Sequence, residues 1–312
     1  MRDLDLILQA YEASGGDPDL LKNDRVARLV ISGNEVIGLN EIQGISMQAE
    51  PLEDGVRVRL EVAPGVQIPQ PVHLCFGVIP ESGVQRIVSD FDIGDGADVA
   101  FTAHCTFPNA LEVRHVMDGT ITVGAGAHMR YHETHYHGET GGVVVEPLAR
   151  VQVGEGGSYT STFSLSEGRA GKVAFQYEVD VAEQGSAELN ARVMGYGDDE
   201  VLVRETIRLN GVGARGLAKS RIALRENARG EVYGTTEGNA AGTRGHIDCI
   251  EIVRDEAIAN AVPVVRVTDP QAQVTHEAAI GTVDKKELET LLARGLTEEQ
   301  AVDVIVRGML EG

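Results

Sequence analysis

The sequence predicts a mainly β protein that folds as a right-handed parallel β-helix, a solenoid of stacked coils, with short helical regions at both ends. Between residues 27 and 281, short runs of Val, Ile, Leu and Thr alternate with polar residues and are interrupted by glycine, a pattern typical of strands joined by turns. Glycine-containing turns recur about every 30 residues. With 37 Gly, 4% aromatic residues and no Trp, small and β-branched side chains must fill a narrow interior.

The repeat is clearest in five similar turns. Marking one glycine in each turn gives successive steps of 30, 30, 29 and 28 residues, at Gly96, Gly126, Gly156, Gly185 and Gly213. A coil of this length has too little apolar surface to fold alone, so it must bury that surface against its neighbours. Glycine suits the corners, where φ is often positive. A β-sandwich is the alternative, but no Asn-Gly or Asp-Gly turn is expected to join closely spaced strands, which favours the solenoid.

Helical periodicity is expected only near the two ends of the chain. Near the start, one apolar helical face ends at Gly15-Gly16, and a further turn is expected over residues 17–22. That face contains Leu4, Ile7, Leu8 and Tyr11. The predicted organisation is therefore a helical segment over residues 1–26, a β-helix core over 27–281 and a helical hairpin over 282–312.

The hairpin is predicted from two capping patterns. Asp284 followed by Glu287 has capping-box spacing, with Gly295 as the residue that ends the first helix. Thr297 followed by Gln300 repeats the device for a second helix. Each cap precedes an apolar stripe: Leu288, Leu291 and Leu292 in the first helix, and Ala301, Val302, Ile305, Val306 and Met309 in the second.

Charge and cysteine content exclude several classes of protein. The chain has 27 Lys and Arg against 48 Asp and Glu, a formal net charge of −21, which argues against nucleic-acid binding. The N-terminus is a poor signal peptide, and no apolar run approaches the ~20 residues of a membrane span. Three widely spaced cysteines form no disulfide framework and fit a reducing compartment, so a cytoplasmic protein without membrane partners is expected.

The densest polar segment is a candidate metal site, and it contains His128, His132, Glu133, His135, His137 and Glu139. In a strand, His135 and His137 share one face while His128 and His132 share the other. A single ion would therefore need a bulge or a second strand. The alternatives are a cupin-like or solenoid metalloenzyme that uses the His128–His137 cluster, and a polar strand without a ligand.

A second candidate combines Cys249 with His276 and Glu277. Thiolate, imidazole and carboxylate together suit iron and zinc, and the separation of 27 to 28 residues matches one coil, which could bring the three to one face. A structural cysteine and a His-Glu pair that leads into the C-terminal helices fit the spacing equally well. No phosphate-binding loop or Gly-x-Ser-x-Gly elbow occurs, so any nucleotide chemistry would belong to a partner.

The segment from Gly245 to Gly308 resembles the C-terminal signature of the SufB/SufD family of iron-sulfur cluster assembly scaffolds, in particular its SufB branch. A second stretch around Cys105 resembles the family's Gly-Cys-Thr-Ala-Pro segment, with His104 in place of Gly and Phe107 in place of Ala. The C-terminal match comprises Gly-His-x-x-Cys ending at Cys249, Pro263, His276-Glu277-Ala278, residues 293–299 and Ile305-Val306-Arg307-Gly308.

This resemblance implies a parallel β-helix with helical ends, in a non-enzymatic scaffold that holds a transient, nascent iron-sulfur cluster. It implies that Cys105 accepts persulfide sulfur from a sulfur donor protein and passes it to Cys249. Cys249 and Glu277 would then take part in cluster assembly, with the adjacent His276 as a weaker candidate. The implied partners are a SufC-type ABC ATPase, bound through the C-terminal helices, and a second subunit in a homodimer or a SufB/SufD-type heterodimer.

Two points qualify the resemblance. The region where many relatives carry cysteines for a mature cluster has none here, so carboxylate, imidazole or a second subunit would have to complete the ligand set. A SufD-like subunit that supports assembly without binding the cluster is a further alternative. The pairing of Cys249 with a His-Glu-Ala motif argues against that alternative.

Overall fold

The computed structural model describes residues 2–311, which form three α-helices and 19 strands. A short 3-10 helix follows α1 at Leu20–Lys22. The elements in chain order are α1 (Arg2–Ala13), β1 (Arg28–Ser32), β2 (Glu35–Asn40), β3 (Ile45–Leu52), β4 (Gly55–Val62), β5 (Val72–Gly77), β6 (Ser82–Ile93), β7 (Asp98–Phe107), β8 (Glu112–Val123), β9 (His128–His137), β10 (Val143–Val153), β11 (Ser158–Glu167), β12 (Lys172–Val181), β13 (Ser186–Gly195), β14 (Glu200–Leu209), β15 (Arg215–Leu224), β16 (Arg229–Gly238), β17 (Arg244–Val253), β18 (Ile258–Val267), β19 (Gln273–Gly281), α2 (Lys285–Leu292) and α3 (Glu298–Glu311).

Successive strands alternate between two sheets. From β5 onward the odd-numbered strands stack in a sheet of ten strands, and from β4 onward the even-numbered strands stack in a sheet of nine. Each strand of these stacks pairs in parallel with the strand two places further along the chain. The result is a β-solenoid of about 8 turns with helices at both ends, which confirms the predicted fold over the sandwich.

The parallel register stacks equivalent side chains in columns along the solenoid. Alternate residues of each strand point into the space between the sheets, as the period of two requires. One inward column of the ten-stranded sheet leads to Cys249 and is called the Cys249 column here. It consists of Ala103, Glu133, Phe163, Ala191, Ser220, Cys249 and Ala278.

The corners follow the predicted repeat with one correction. Gly96, Gly126, Gly156 and Gly213 have φ between +63° and +70°, and each donates its backbone N–H to a carbonyl of the next turn. At the fourth corner the residue with positive φ is Gln184, at +54°, and not the neighbouring Gly185. Coils differ in length by one or two residues. Counting from glycine to glycine therefore placed this corner at Gly185, one residue after its true position at Gln184.

The N-terminal end of the solenoid is built differently from the rest. Strands β1 and β2 pair antiparallel, as do β3 and β4. The β3–β4 hairpin turns at Glu53-Asp54, between the paired residues Leu52 and Gly55, so tight hairpins do occur at this end although no Asp-Gly pair forms the loop. The two hairpins leave β2 and β3 as the edge strands of this end.

The apolar interior is continuous between the sheets, and all six Phe residues lie in it. Few Phe residues are therefore needed, because each one is placed in the core. Glycines and alanines fill the narrow space elsewhere, which agrees with the interior expected from composition.

The helices pack on the outer face of the ten-stranded sheet. Near the N-terminus, α1 buries Ile7 and Tyr11 against Val30 and Cys75. Near the C-terminus, α3 packs its apolar stripe, formed by Val302, Val306 and Leu310, on Ala223 of β15.

The predicted helix ends of the C-terminal hairpin are observed. Asp284 accepts a hydrogen bond from the backbone N–H of Glu287, and Gly295 has a φ of +94°. The side chains of Thr297 and Gln300 each accept a hydrogen bond from the other residue's backbone N–H. Within residues 2–311, no helix combines the length and apolar character needed to cross a bilayer.

Candidate functional site

Strand β9 divides the histidine-rich segment between the two faces of its sheet. Glu133, His135 and His137 point into the solenoid and are each at most 2% exposed. His128 and His132 lie on the outer face, so the four imidazoles do not meet at one point. The alternation predicted from the sequence is confirmed, and a site that includes His135 must be completed by other strands.

Neighbouring strands bring a thiol and another imidazole to Glu133 and His135. Cys105 stacks directly beneath His135 in the register of β7 and β9, and its Sγ lies 3.8 Å from Glu133 Oε1. From the facing sheet, Nε2 of His115 on β8 lies 3.7 Å from the same Sγ. These residues, with His137, are called the Cys105 cluster here; all five are buried.

A chain of hydrogen bonds fixes the tautomers in the Cys105 cluster. The Arg169 carbonyl can only accept, so Nδ1–H of His137 donates to it over 3.1 Å. Nε2 of His137 is then the acceptor for His135 Nδ1–H, at 3.2 Å. The remaining lone pair, on His135 Nε2, faces Glu133 Oε1 at 2.6 Å. With this tautomer of His135, Glu133 must be protonated to donate to it.

Burial keeps the Cys105 cluster close to neutral. It lowers the pKa values of His115, His135 and His137 to about 3 and raises the pKa of Glu133 to about 7. The pKa of the Cys105 thiol also lies well above its usual value, first through burial and then through the charge of Glu133. The imidazoles are neutral at physiological pH, so His115 and His135 each keep a nitrogen lone pair that can act as a ligand, whereas the lone pair of His137 accepts the hydrogen bond from His135.

Two cavities adjoin the Cys105 cluster. One, of about 40 Å³, lies between the sheets and is lined by Glu133 and by Tyr131, Tyr159 and Tyr177; its size suffices for a water molecule. The second, of about 230 Å³, lies between the end of α1 and the ends of β9 and β11, and His135 contributes to its wall.

Further along the solenoid, a second polar group surrounds Cys249. Glu251 lies on the same inward face of β17, and the strand on one side places Ser220 beside Cys249. Burial raises the pKa of Cys249 to about 11 and that of Glu251 to about 7. Neither carboxyl oxygen of Glu251 has a hydrogen-bond partner among the described residues, nor does Ser220 Oγ.

The strands place His276 and Glu277 differently from each other. Cys249 pairs with Ala278, so His276 shares the inner face with Cys249 while Glu277 lies beside Asp248 on the outer face. Both His276 and Glu277 are exposed. The expectation that all three share a face is wrong for Glu277, because one coil here is 29 residues and a spacing of 28 reverses the side.

Cys105 and Cys249 point into the same interior, whereas Cys75 faces outward beneath α1. Five strand spacings separate β7 from β17, which corresponds to about 24 Å. The two thiols are thus in one compartment but far beyond direct contact.

Sequence reasoning missed three buried residues with a carboxyl or imidazole group that face this interior: His115, Glu205 and Glu251. Each interrupts an alternating series of apolar residues on the inward face of its strand. In β14, for example, Glu205 follows Val201 and Val203 and precedes Ile207 at steps of two. A carboxylate at an inward position of such a series was the available signal.

Comparison with known proteins agrees with this geometry. Residues 87–309 match the family model described as SUF system FeS cluster assembly, SufBD core domain. An iron-sulfur cluster assembly SufBD family protein of Methanocaldococcus jannaschii is 34% identical over 304 residues, which cover 97% of this chain and 96% of that protein. One from Pyrococcus horikoshii is 34% identical over 310 residues, or 99% of this chain and 94% of that protein. The solenoid with inward-facing cysteines therefore belongs to the SufBD family of iron-sulfur cluster assembly proteins.

Proposed function

We propose that this protein is a non-enzymatic scaffold on which iron and sulfur are assembled into a transient iron-sulfur cluster. The observation that carries the proposal is that Cys105 and Cys249 both point into the interior, each beside a buried carboxyl group. The family to which the chain belongs supports a role in cluster assembly. Cys105 receives sulfur as a persulfide, and Cys249 holds the growing cluster.

The chemistry around Cys249 suits a cluster that must be released. A thiolate is a soft ligand that binds iron and sulfide strongly, whereas a carboxylate such as Glu251 is a harder ligand. His276 lies on the same inner face, one strand closer to the open end. Glu277 lies on the outer face of that end strand, so in this proposal it binds iron only across a subunit interface.

Anaerobic reconstitution with iron and sulfide tests this assignment. Wild-type protein should develop the visible absorption of an iron-sulfur cluster, and Cys249→Ala should lose it. Cys75→Ala is the matched control, because Cys75 is also buried but faces away from the interior, and it should behave as wild type. Equal incorporation in wild type and Cys249→Ala would reject the proposed role.

Sulfur acceptance at Cys105 has a separate test. After incubation with a persulfide-carrying sulfur donor protein, mass spectrometry of the peptides should find added sulfur on Cys105. The Cys105→Ser variant should acquire none, whereas Cys75→Ser should be labelled normally. In this proposal sulfur reaches Cys105 before Cys249. Sulfur added to Cys249 in the Cys105→Ser variant would contradict that order.

A second copy of this chain is the proposed partner at the open C-terminal end of the solenoid. Strands β18 and β19 are the terminal strands of their sheets, with free edges that favour pairing. Exposed apolar residues accompany these edges: Ile258, Val262, Val264, Val265, Val267 and Ile280. Dimerisation there would bring two copies of Cys249 and His276 near one another and supply the missing ligands.

Light scattering of the purified protein tests the dimer. Wild type should have the mass of two chains, and Val265→Asp should shift it to one. Val84→Asp is the matched control, because Val84 is an exposed valine near the opposite end and its substitution should leave the dimer intact. A wild-type monomer, or a dimer insensitive to Val265→Asp, would contradict the proposed interface.

A SufC-type ABC ATPase is the proposed partner of the α2–α3 hairpin. The inner stripe of α3 is covered by the chain's own sheet, so the partner must bind the outer surface. Leu292 and Val304 are exposed apolar residues of the hairpin, at 39% and 50%. The double variant Leu292→Asp/Val304→Asp should lose copurification with the ATPase, whereas Val84→Asp should retain it. Full retention in the double variant would exclude this surface.

A further inference from the structure

Apart from the assembly site at Cys249, the Cys105 cluster has the composition of a mononuclear metal site. Cys105, Glu133 and His135 offer one sulfur, one oxygen and one nitrogen ligand atom, all within 4.8 Å of one another. Nε2 of His115, from the facing sheet, lies 3.7 Å from Cys105 Sγ and is the candidate fourth donor, and Nδ1 of this imidazole has no hydrogen-bond partner within the described part of the chain. The donors come from three strands, β7, β8 and β9, which belong to two sheets. Strand β9 alone could not complete the site, and β7 and β8 supply the other ligands.

We propose that Cys105, Glu133 and His135 bind a divalent first-row transition-metal ion such as Zn²⁺ inside the solenoid, with His115 as the fourth ligand. This site goes beyond the scaffold function and does not depend on whether a cluster forms at Cys249. It shares the thiol of Cys105 with the proposed sulfur acceptance, so the bound ion and the persulfide occupy that thiol in turn.

The donor atoms of Cys105, Glu133 and His135 lie close to tetrahedral spacing, whereas His115, which contacts only Cys105 Sγ among them, must move toward Glu133 and His135 to complete the set. With metal–sulfur and metal–nitrogen bonds of about 2.3 and 2.0–2.1 Å, sulfur and nitrogen ligands lie roughly 3.5 Å apart. The observed separation of Cys105 Sγ and His115 Nε2 is 3.7 Å, and that of Sγ and Glu133 Oε1 is 3.8 Å. The 2.6 Å contact between His135 Nε2 and Glu133 Oε1 must open to about 3.3 Å, through loss of the proton between the two atoms.

The surrounding hydrogen bonds already orient the imidazole ligand. His135 Nδ1–H donates to His137, and His137 donates in turn to the Arg169 carbonyl. This arrangement directs the lone pair of His135 Nε2 toward Glu133, as second-shell partners of metal-bound histidines do. Phe107 and Phe163 flank the imidazoles on the apolar side, so they restrict the orientation of the rings further.

Charge balance permits such an ion in the buried interior. A divalent cation with one thiolate, one carboxylate and two neutral imidazoles has no net charge, which removes the main cost of burying the ion. Binding would release the protons of Cys105 and Glu133.

Titration with Co²⁺ under anaerobic conditions tests the site, with full-length protein carrying Cys249→Ala so that the other interior thiol cannot contribute. This protein should bind about one ion per chain, with a thiolate-to-cobalt charge-transfer band and the strong visible absorption of tetrahedral Co²⁺. Zn²⁺ should displace the cobalt and abolish both signals.

Single substitutions in the same background identify the ligands. Cys105→Ser should abolish the charge-transfer band, and Glu133→Gln or His135→Ala should lower the affinity for Co²⁺ at least tenfold. His137→Phe, which removes only the partner of His135, should weaken binding by about 10–100-fold while the charge-transfer band remains. His128→Ala and Cys75→Ser are the controls and should bind as the parent does, since His128 faces outward and Cys75 lies beneath α1.

Circular dichroism establishes that each variant is folded, and the near-isosteric Glu133→Gln keeps the test valid if His135→Ala does not fold. The proposal is overturned if the parent binds no Co²⁺, or if the charge-transfer band survives Cys105→Ser. Cluster reconstitution at Cys249 is scored separately in protein with its native Cys249, so failure of this site and failure of the scaffold function give different results.

Discussion

Glu205 illustrates, at the scale of single residues, what an inward carboxyl group does to the stability of the solenoid. It lies on β14 facing the interior at 2% exposure, and burial raises its pKa from 4.5 to about 8. Between these two values the unfolded chain releases a proton that the folded protein retains. The contribution of the protonated carboxyl to stability is therefore complete below about pH 4.5 and is lost as the pH rises through about 8.

Glu205→Gln should remove this pH dependence, because the amide does not titrate. Between pH 5 and pH 9 the free energy of unfolding of wild type falls as the contribution of Glu205 is lost. We expect the difference in this free energy between the variant and wild type to grow, in favour of the variant, by on the order of a few kcal/mol over that range. Urea unfolding monitored by circular dichroism at several pH values measures the difference. Glu200→Gln on the same strand is the exposed control and should leave the pH profile unchanged. Parallel profiles for wild type and Glu205→Gln would show that the carboxyl is not buried in its neutral form.

The sequence predicted individual residues well where the information was local. The alternation within β9 correctly separated His135 from His128, because the faces of one strand depend only on its own residue spacing. It could not identify His115 as a neighbour of Cys105, since that contact depends on which strands of the two sheets face each other. Glu277 was placed on the wrong face because coil lengths vary, and a slip of one residue reverses the side.

At the scale of elements, the corners show how the repeat tolerates variation in coil length. Corner residues at Gly96, Gly126, Gly156, Gln184 and Gly213 all have positive φ, although one of them is not glycine. The backbone conformation is therefore the repeated feature, and glycine is the residue that adopts it with least strain. The spacing of glycines in the sequence therefore predicted the coils correctly. It placed one corner a residue too late, at Gly185 and not at Gln184.

Gly156→Ala measures the strain at one corner. Its φ is +64°, and a Cβ added there would meet no atom within 4 Å, so backbone conformation is the only expected cost. We expect the substitution to lower the free energy of unfolding by about 1–2 kcal/mol. Gly281→Ala is the matched control, because Gly281 also has open space around it but no positive φ. Chemical denaturation of both variants should show a loss only for Gly156→Ala, and equal stabilities would contradict the strain argument.

At the scale of the whole molecule, the solenoid separates the two inward-facing cysteines. About 24 Å, or five strand spacings, lie between Cys105 and Cys249, and the Cys249 column fills part of that distance with Phe163 and Ala191. Direct exchange requires two sulfur atoms in contact. Cys75 cannot act as an intermediate thiol, since it faces outward beneath α1.

Transfer of sulfur within one chain should therefore require a small mobile carrier. A low-molecular-weight dithiol can supply one: it reduces the persulfide of Cys105 to a thiol, releases hydrogen sulfide and becomes a disulfide, so atoms and electrons balance. We expect protein loaded with persulfide at Cys105 and supplied with Fe²⁺ to form a cluster at Cys249 only after the dithiol is added. Visible absorption follows the cluster, and peptide mass spectrometry follows the sulfur.

Two controls make the result specific to this geometry. Cys249→Ala should release sulfide on addition of the dithiol without forming a cluster, and Cys75→Ala should behave as wild type. Appearance of persulfide on Cys249 without any added reductant would mean that the two thiols come into contact. The fixed stacking of β7 to β17 forbids that contact, so the solenoid would have to open between these strands during transfer.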